Sequence, residues 1–82
     1  MGNLEKLLVK LSRKKIKTSE FLSLLGKIGY VEVKSGKTSG SSRKYKHEFL
    51  PPYYFHMPHG RNYMLEYQCN DLLNILKKGG IL

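Results

Sequence analysis

The hydrophobic period of this chain changes twice, from helical to alternating and back, and that restricts it to a small set of α+β arrangements. Leu4, Leu7, Leu8 and Leu11 recur at helical spacing, with Lys6, Lys10 and Lys14 along another face. Thr18 stands where a second helix expects its N-cap, and Glu20 suits the positive end of the helix dipole. Phe21, Leu24, Leu25 and Ile28 give that helix its apolar stripe, and Gly29 is placed to cap its C-terminal end. From Tyr30 onward the period becomes two. Val31 and Val33 alternate with Tyr30, Glu32 and Lys34, as in a half-buried strand. A second strand is expected from about Arg43 to Phe49, with Tyr45, His47 and Phe49 opposite in direction to Lys44, Lys46 and Glu48. The small, polar run Gly36 to Ser42 between these strands reads as a loop. Pro51-Pro52 ends the second strand, Tyr53 to Met57 form a third, and Pro58 and Gly60 break it. Helical spacing returns with Leu65, Cys69, Leu72, Leu73 and Leu76, closed by Lys77, Lys78 and Gly79.

Three short strands between helices, joined by hairpin-length connections, predict an antiparallel sheet with helices on one face and the other face open. A chain of 82 residues has room for one small core, burying about 63% of its unfolded surface. Residues 1–17 read as a basic helical extension and residues 18–82 as the domain proper.

Charge then narrows the partners. Fifteen Lys and Arg against six Asp and Glu give +9 and a pI near 9.8, which points to a polyanion. The excess is clustered. Lys10, Arg13, Lys14, Lys15 and Lys17 lie together, and no acid separates Lys34, Lys37, Arg43, Lys44 and Lys46 between Glu32 and Glu48. Nucleic acid is the leading expectation; an anionic membrane and plain solubility charge are the alternatives. The membrane fits less well, because the first helix has a short, purely aliphatic stripe suited to docking on the domain. No apolar run approaches the roughly 18 to 20 residues of a membrane span, and the first residues lack the apolar core of a secretory signal. A single cysteine, Cys69, excludes an internal disulfide and fits a reducing compartment. The expectation is a cytoplasmic protein.

Alternation places Lys44 and Lys46 on the open face, joined by Tyr54 and His56 of the neighbouring strand. Such a face suits RNA, with phosphates on the lysines and an unstacked base on Tyr54. The competing reading is a solvated face with incidental tyrosines, and a register shift of one residue would invert the assignment. His47 is expected to be structural. His56-Met57-Pro58-His59 brings two imidazoles three residues apart, with Cys69 as a third donor. A metal site is disfavoured because Pro58 intervenes and no acid sits nearby. Acid–base work fits better, since an imidazole exchanges a proton near neutral pH. RNA cleavage needs a base for the 2′-OH, an acid for the leaving 5′-oxygen and cations around the phosphorane. The bland alternative is a structural pair. Pro51-Pro52-Tyr53-Tyr54 spells a ligand of WW domains but falls in a strand. The Gly36 to Ser42 loop lacks Walker spacing, although its backbone N–H groups suit a single phosphate.

From about Thr18 to Leu82 the chain resembles the HicA-type mRNA interferase toxins of bacterial toxin–antitoxin pairs. The pieces that carry the resemblance are Ile28-Gly29-Tyr30 after a helix, then Gly36-Lys37-Thr38-Ser39-Gly40-Ser41, then Pro58-His59 with Asn62. Tyr67-Gln68 then opens a helix that runs to Gly79-Gly80-Ile81-Leu82. The resemblance implies a double-stranded-RNA-binding-like fold, translation-independent mRNA cleavage and a HicB-type antitoxin as protein partner. Better-known members carry a glycine-serine-histidine whose histidine is taken as catalytic, where this chain reads Gly40-Ser41-Ser42. The acid–base function is therefore expected at His59, which matches the proline-histidine element, with His56 as helper. RNA contacts are expected from Lys37, Ser42, Arg43, Lys44, Lys46, Tyr54 and Arg61, with neither metal nor other cofactor. A noncatalytic RNA-binding module of the same fold is the alternative, and a DNA-binding or antitoxin-like scaffold is a third.

Overall fold

Helical spacing brings Leu7 and Leu11 to one side of α1 (Gly2–Ser12), and Phe21, Leu24 and Leu25 to one side of α2 (Thr18–Ile28); all five are buried. In the computed structural model, which describes residues 2–34 and 42–82, three strands follow: β1 (Val31–Glu32), β2 (Ser42–Lys46) and β3 (Tyr53–His56). The helix α3 (Glu66–Lys78) comes after them. The strands form one antiparallel sheet in the order β1-β2-β3, so the chain is a small α+β protein. Tyr45, Tyr53 and Phe55 point from one face of the sheet into the core. Phe21 of α2 meets Phe55 edge-on at 5.4 Å between ring centroids and lies 6.1 Å from Tyr53. The Tyr53 hydroxyl donates to the Gln68 carbonyl of α3 at 3.2 Å. The helices thus cover one sheet face, and α1 packs in turn on α2 and α3, adding Leu7 and Leu11 to the same core.

Helix ends show where local chemistry decides. Thr18 is the first residue of α2 and does not cap it. Its hydroxyl donates to the Asn62 carbonyl at 3.1 Å. Glu20 does the capping, accepting the Lys17 backbone N–H at 3.0 Å, and Lys10 of α1 donates its ammonium to the same carboxylate. That bond is the main reason the Glu20 carboxyl is held below its ordinary pKa. Gly29 ends α2 at φ 113°, in the left-handed region that favours glycine. A side chain there would also meet His47 Nε2 at 2.9 Å. α1 closes the same way without a glycine. Lys14 sits at φ 58°, and the Lys15 N–H reaches back to the Lys10 carbonyl at 3.0 Å.

Two inward–outward assignments differ from the alternation. In β1 the residue facing solvent is Val31, 60% exposed, whereas Tyr30 is buried. Tyr30 is turned inward directly after the Gly29 cap, with its N–H on the Leu25 carbonyl and its hydroxyl on the Pro51 carbonyl at 2.8 Å. β2 stops at Lys46 instead of continuing to Phe49. His47 Nδ1 accepts the backbone N–H groups of Phe49 and Leu50 at 3.0 and 3.2 Å, closing a bend. The bend breaks the period, so Leu50 is buried and Phe49 is 87% exposed. With Nδ1 accepting, Nε2 carries the proton and donates to the Ile28 carbonyl at 3.0 Å. His47 is thus a structural clasp between the end of α2 and the exit of β2.

Candidate nucleic-acid interface

The pleat of β2 sends Ser42, Lys44 and Lys46 to one face and Arg43 and Tyr45 to the other. Ser42 stands opposite His56, and Lys44 opposite Tyr54, in the β2–β3 register; Lys46 stands opposite Val31 in β1. Cross-strand partners share a face. The uncovered face therefore carries Ser42, Lys44, Lys46, Tyr54, His56 and Val31. Pro51-Pro52 and Pro58 bracket β3 and fix its length. Tyr54 is 61% exposed, and the Lys44 ammonium lies 5.2 Å from its ring centroid. At an exposed site that cation–π contact contributes about 0.5–1 kcal/mol. The lysine lies over one face of the ring, while much of the tyrosine remains open to solvent.

The remaining expected residues are distributed differently. Arg43 shares the helix-covered side and pairs across to Glu32, Nη1 to Oε2 at 3.2 Å, so it does not join the lysines. Lys37, and with it the loop through Ser41, lies outside the described residues. His59 and Arg61 are exposed beyond the end of β3, and the Arg61 Nε donates to the Tyr63 carbonyl at 3.1 Å. His56 is the imidazole that the register sets opposite Ser42; His59 follows it three residues later. Cys69 is fully buried in α3, and burial pushes its thiol upward, which keeps it protonated and unsuited to metal ligation. Among the described residues no three His, Cys, Asp or Glu side chains gather around a common point. Among them, too, no helix is long and apolar enough to cross a membrane.

Gln68, which the sequence offers only as part of the opening of the last helix, has a bonding role that was not expected. It is 1% exposed, its Nε2 donates to the His56 carbonyl at 2.7 Å, and its Oε1 accepts the Leu65 N–H at 3.0 Å. The signal was available: residue 68 falls one turn before Leu72 and two before Leu76, so a polar side chain stands on the apolar stripe. Such a group must be fully bonded. Against family models, curated proteins and solved structures the chain gives no match.

Proposed function

We propose that this chain binds single-stranded RNA on its open sheet face and, in keeping with its resemblance to HicA-type mRNA interferases, cleaves mRNA as the toxin of a toxin–antitoxin pair. The observation that carries the reading is the row on the uncovered face. Lys44 sits against the exposed Tyr54, Lys46 lies to one side, and His56 lies opposite Ser42. Phosphates take the two ammonium groups and a base stacks on Tyr54, the combination by which single strands are held with little sequence preference.

The chemistry assigned to the two histidines is internal transfer. One imidazole removes the proton of a 2′-OH, the 2′-oxygen attacks the adjacent phosphorus, and the bond to the 5′-oxygen breaks. The other imidazole gives its proton to that 5′-oxygen, leaving a 2′,3′-cyclic phosphate. His56 takes the first role, because the register sets it on the face with the lysines, and His59 the second. An acidic HicB-type antitoxin covering the same face is the protein partner the reading requires.

The test is purified protein incubated with a labelled RNA in EDTA. Metal-independent cutting to cyclic-phosphate ends, lost when the 2′-OH at the cut is removed, supports the toxin. RNA binding without cutting reduces the assignment to a noncatalytic RNA-binding module, the reading that Ser42 in the family's histidine position favours. Equal affinity for duplex DNA overturns both.

A further inference from the structure

Much of the positive charge is not on the open face. Residues 1–17 contain Lys6, Lys10, Arg13, Lys14, Lys15 and Lys17 against one acid, Glu5. The last of these, Lys17, stands with Arg61 beside a groove between the start of α2 and the segment leaving β3. Leu22, Met57 and Pro58 give the groove an apolar lining, and no acidic residue lines it. Met57 directly follows His56, so the groove opens where the face with Tyr54 and His56 ends.

The two sides are stitched together before any ligand arrives. The Thr18 N–H and hydroxyl both donate to the Asn62 carbonyl, at 2.8 and 3.1 Å. Lys17 and Tyr63 form an antiparallel bridge, and the Met64 N–H donates to the Ile16 carbonyl at 3.0 Å. The Arg61 guanidinium is anchored through Nε on the Tyr63 carbonyl, which leaves its Nη groups to a ligand. Glu20 spends its carboxylate on the Lys10 ammonium and the Lys17 backbone N–H. Among the described residues no ion pair engages the side chain of Lys17 or Arg61. Two unspent cations beside a preformed apolar lining match one nucleotide, with its charged phosphate and flat base. The groove adjoins the end of β3 at Met57, so a nucleotide of the strand on the open face reaches it without a second partner.

We infer that this groove is a second nucleotide subsite of the RNA-binding surface, holding a phosphate between Lys17 and Arg61 and a base against Leu22, Met57 and Pro58. The inference rests on the proposed RNA binding. It carries the strand off the sheet, past His59 and toward the basic end of α1.

The experiment compares salt dependence of binding to a twelve-nucleotide RNA for three doubly substituted proteins and wild type. Each phosphate contact on a single strand contributes about −0.7 to the slope of log K against log salt. Lys17→Gln with Arg61→Gln should flatten the slope by about 0.7, which is about 5-fold weaker binding at 0.1 M salt with electrostatics spent at 1 M. Lys6→Gln with Lys78→Gln removes equal charge elsewhere and should leave the slope nearly unchanged. A 4-thiouridine in the RNA should cross-link within residues 57–63 of wild type. Equal flattening by both pairs means diffuse charge and overturns the subsite. An unchanged slope for the Lys17 and Arg61 pair, while Lys44→Gln with Lys46→Gln weakens binding, overturns it and leaves the open face standing. Absence of RNA binding by wild type removes both.

Discussion

Gln68, buried in α3, donates from Nε2 to the carbonyl oxygen of His56 at 2.7 Å, so the last residue of β3 is held by the last helix. That carbonyl lies on the edge of β3 away from β2: Val33 donates to the Lys44 carbonyl, which makes Arg43 and Tyr45 the residues bonded to Phe55 and Tyr53. Among the described residues Gln68 is the one partner of the end of β3 on that edge. The same side chain accepts the N–H of Leu65, so one amide serves both the strand end and the helix start.

Replacing Gln68 should therefore destabilise the fold through two specific bonds. Gln68→Leu keeps the volume and leaves both backbone groups unpaired, with an expected loss of about 2–3 kcal/mol. Gln68→Glu still accepts from Leu65 but turns a carboxylate oxygen toward the His56 carbonyl, and should lose more than the leucine variant. Urea denaturation of the three proteins checks the order; a glutamate variant as stable as wild type would contradict the bonding assigned here.

Gly29 makes a different kind of prediction, because two penalties meet at one atom. An alanine at φ 113° is strained by about 1–2 kcal/mol, and its Cβ would crowd His47 Nε2 at 2.9 Å. Gly29→Ala should cost more than the backbone term alone. Combined with His47→Ala, the crowding disappears, so the double variant should be more stable than the two single losses predict. A thermal double-mutant cycle reads that coupling directly.

What the sequence makes legible is what depends on period. Alternation over Lys44, Tyr45 and Lys46, and over Tyr53 to His56 between prolines, separates an open basic face from a buried aromatic one without any knowledge of pairing. Features set by distant segments are not legible in this way. The Arg43–Glu32 pair needs the β1–β2 register, and Lys17 and Arg61 come to one groove only after the chain has passed through the whole sheet. Phe49 and Leu50 exchange places because one imidazole accepts two backbone N–H groups, which no periodicity encodes. Lys14 reads as one more charge in a basic run, yet it supplies the left-handed turn that ends α1.

Acid should expose the clasp between α1 and α2. The Glu20 carboxyl lies below its ordinary value of 4.5, held there chiefly by its bond with Lys10. A lowered folded-state pKa means stability that is present above the unfolded value and lost as pH falls through the folded one. Glu20→Gln should therefore lose less stability than wild type on going from above 4.5 into that lower range. Parallel denaturation curves as a function of pH measure the difference, and identical pH profiles would remove Glu20 from the account.

On the open face, Tyr54 is expected to contribute by stacking. Tyr54→Ala should weaken single-stranded RNA binding by about 1–3 kcal/mol, the usual range for a base on an aromatic ring. Tyr54→Phe should retain most of the affinity, because the hydroxyl is not the contact. Fluorescence anisotropy with a short labelled RNA distinguishes the two. A phenylalanine variant as weak as the alanine one would mean that the hydroxyl carries the binding instead.

The most exposed prediction concerns cleavage. If His56 and His59 exchange protons with the 2′- and 5′-oxygens, replacing either by alanine should slow cutting by about 10²- to 10⁴-fold, the common worth of one acid–base group. RNA affinity should change little, since neither imidazole is assigned a phosphate, and the loss should therefore appear in the single-turnover rate at saturating protein. Losing both should cost little more than losing one, because the two act in a single transfer. His47→Ala is the informative contrast: among the described residues its ring bonds to Ile28, Phe49 and Leu50 alone, so it should lower the melting temperature while the rate of the folded fraction is kept. Wild-type rates from both His56→Ala and His59→Ala would move the chemistry away from this end of the sheet, and a rate lost only in His47→Ala would reverse the assignment of structural and catalytic histidines.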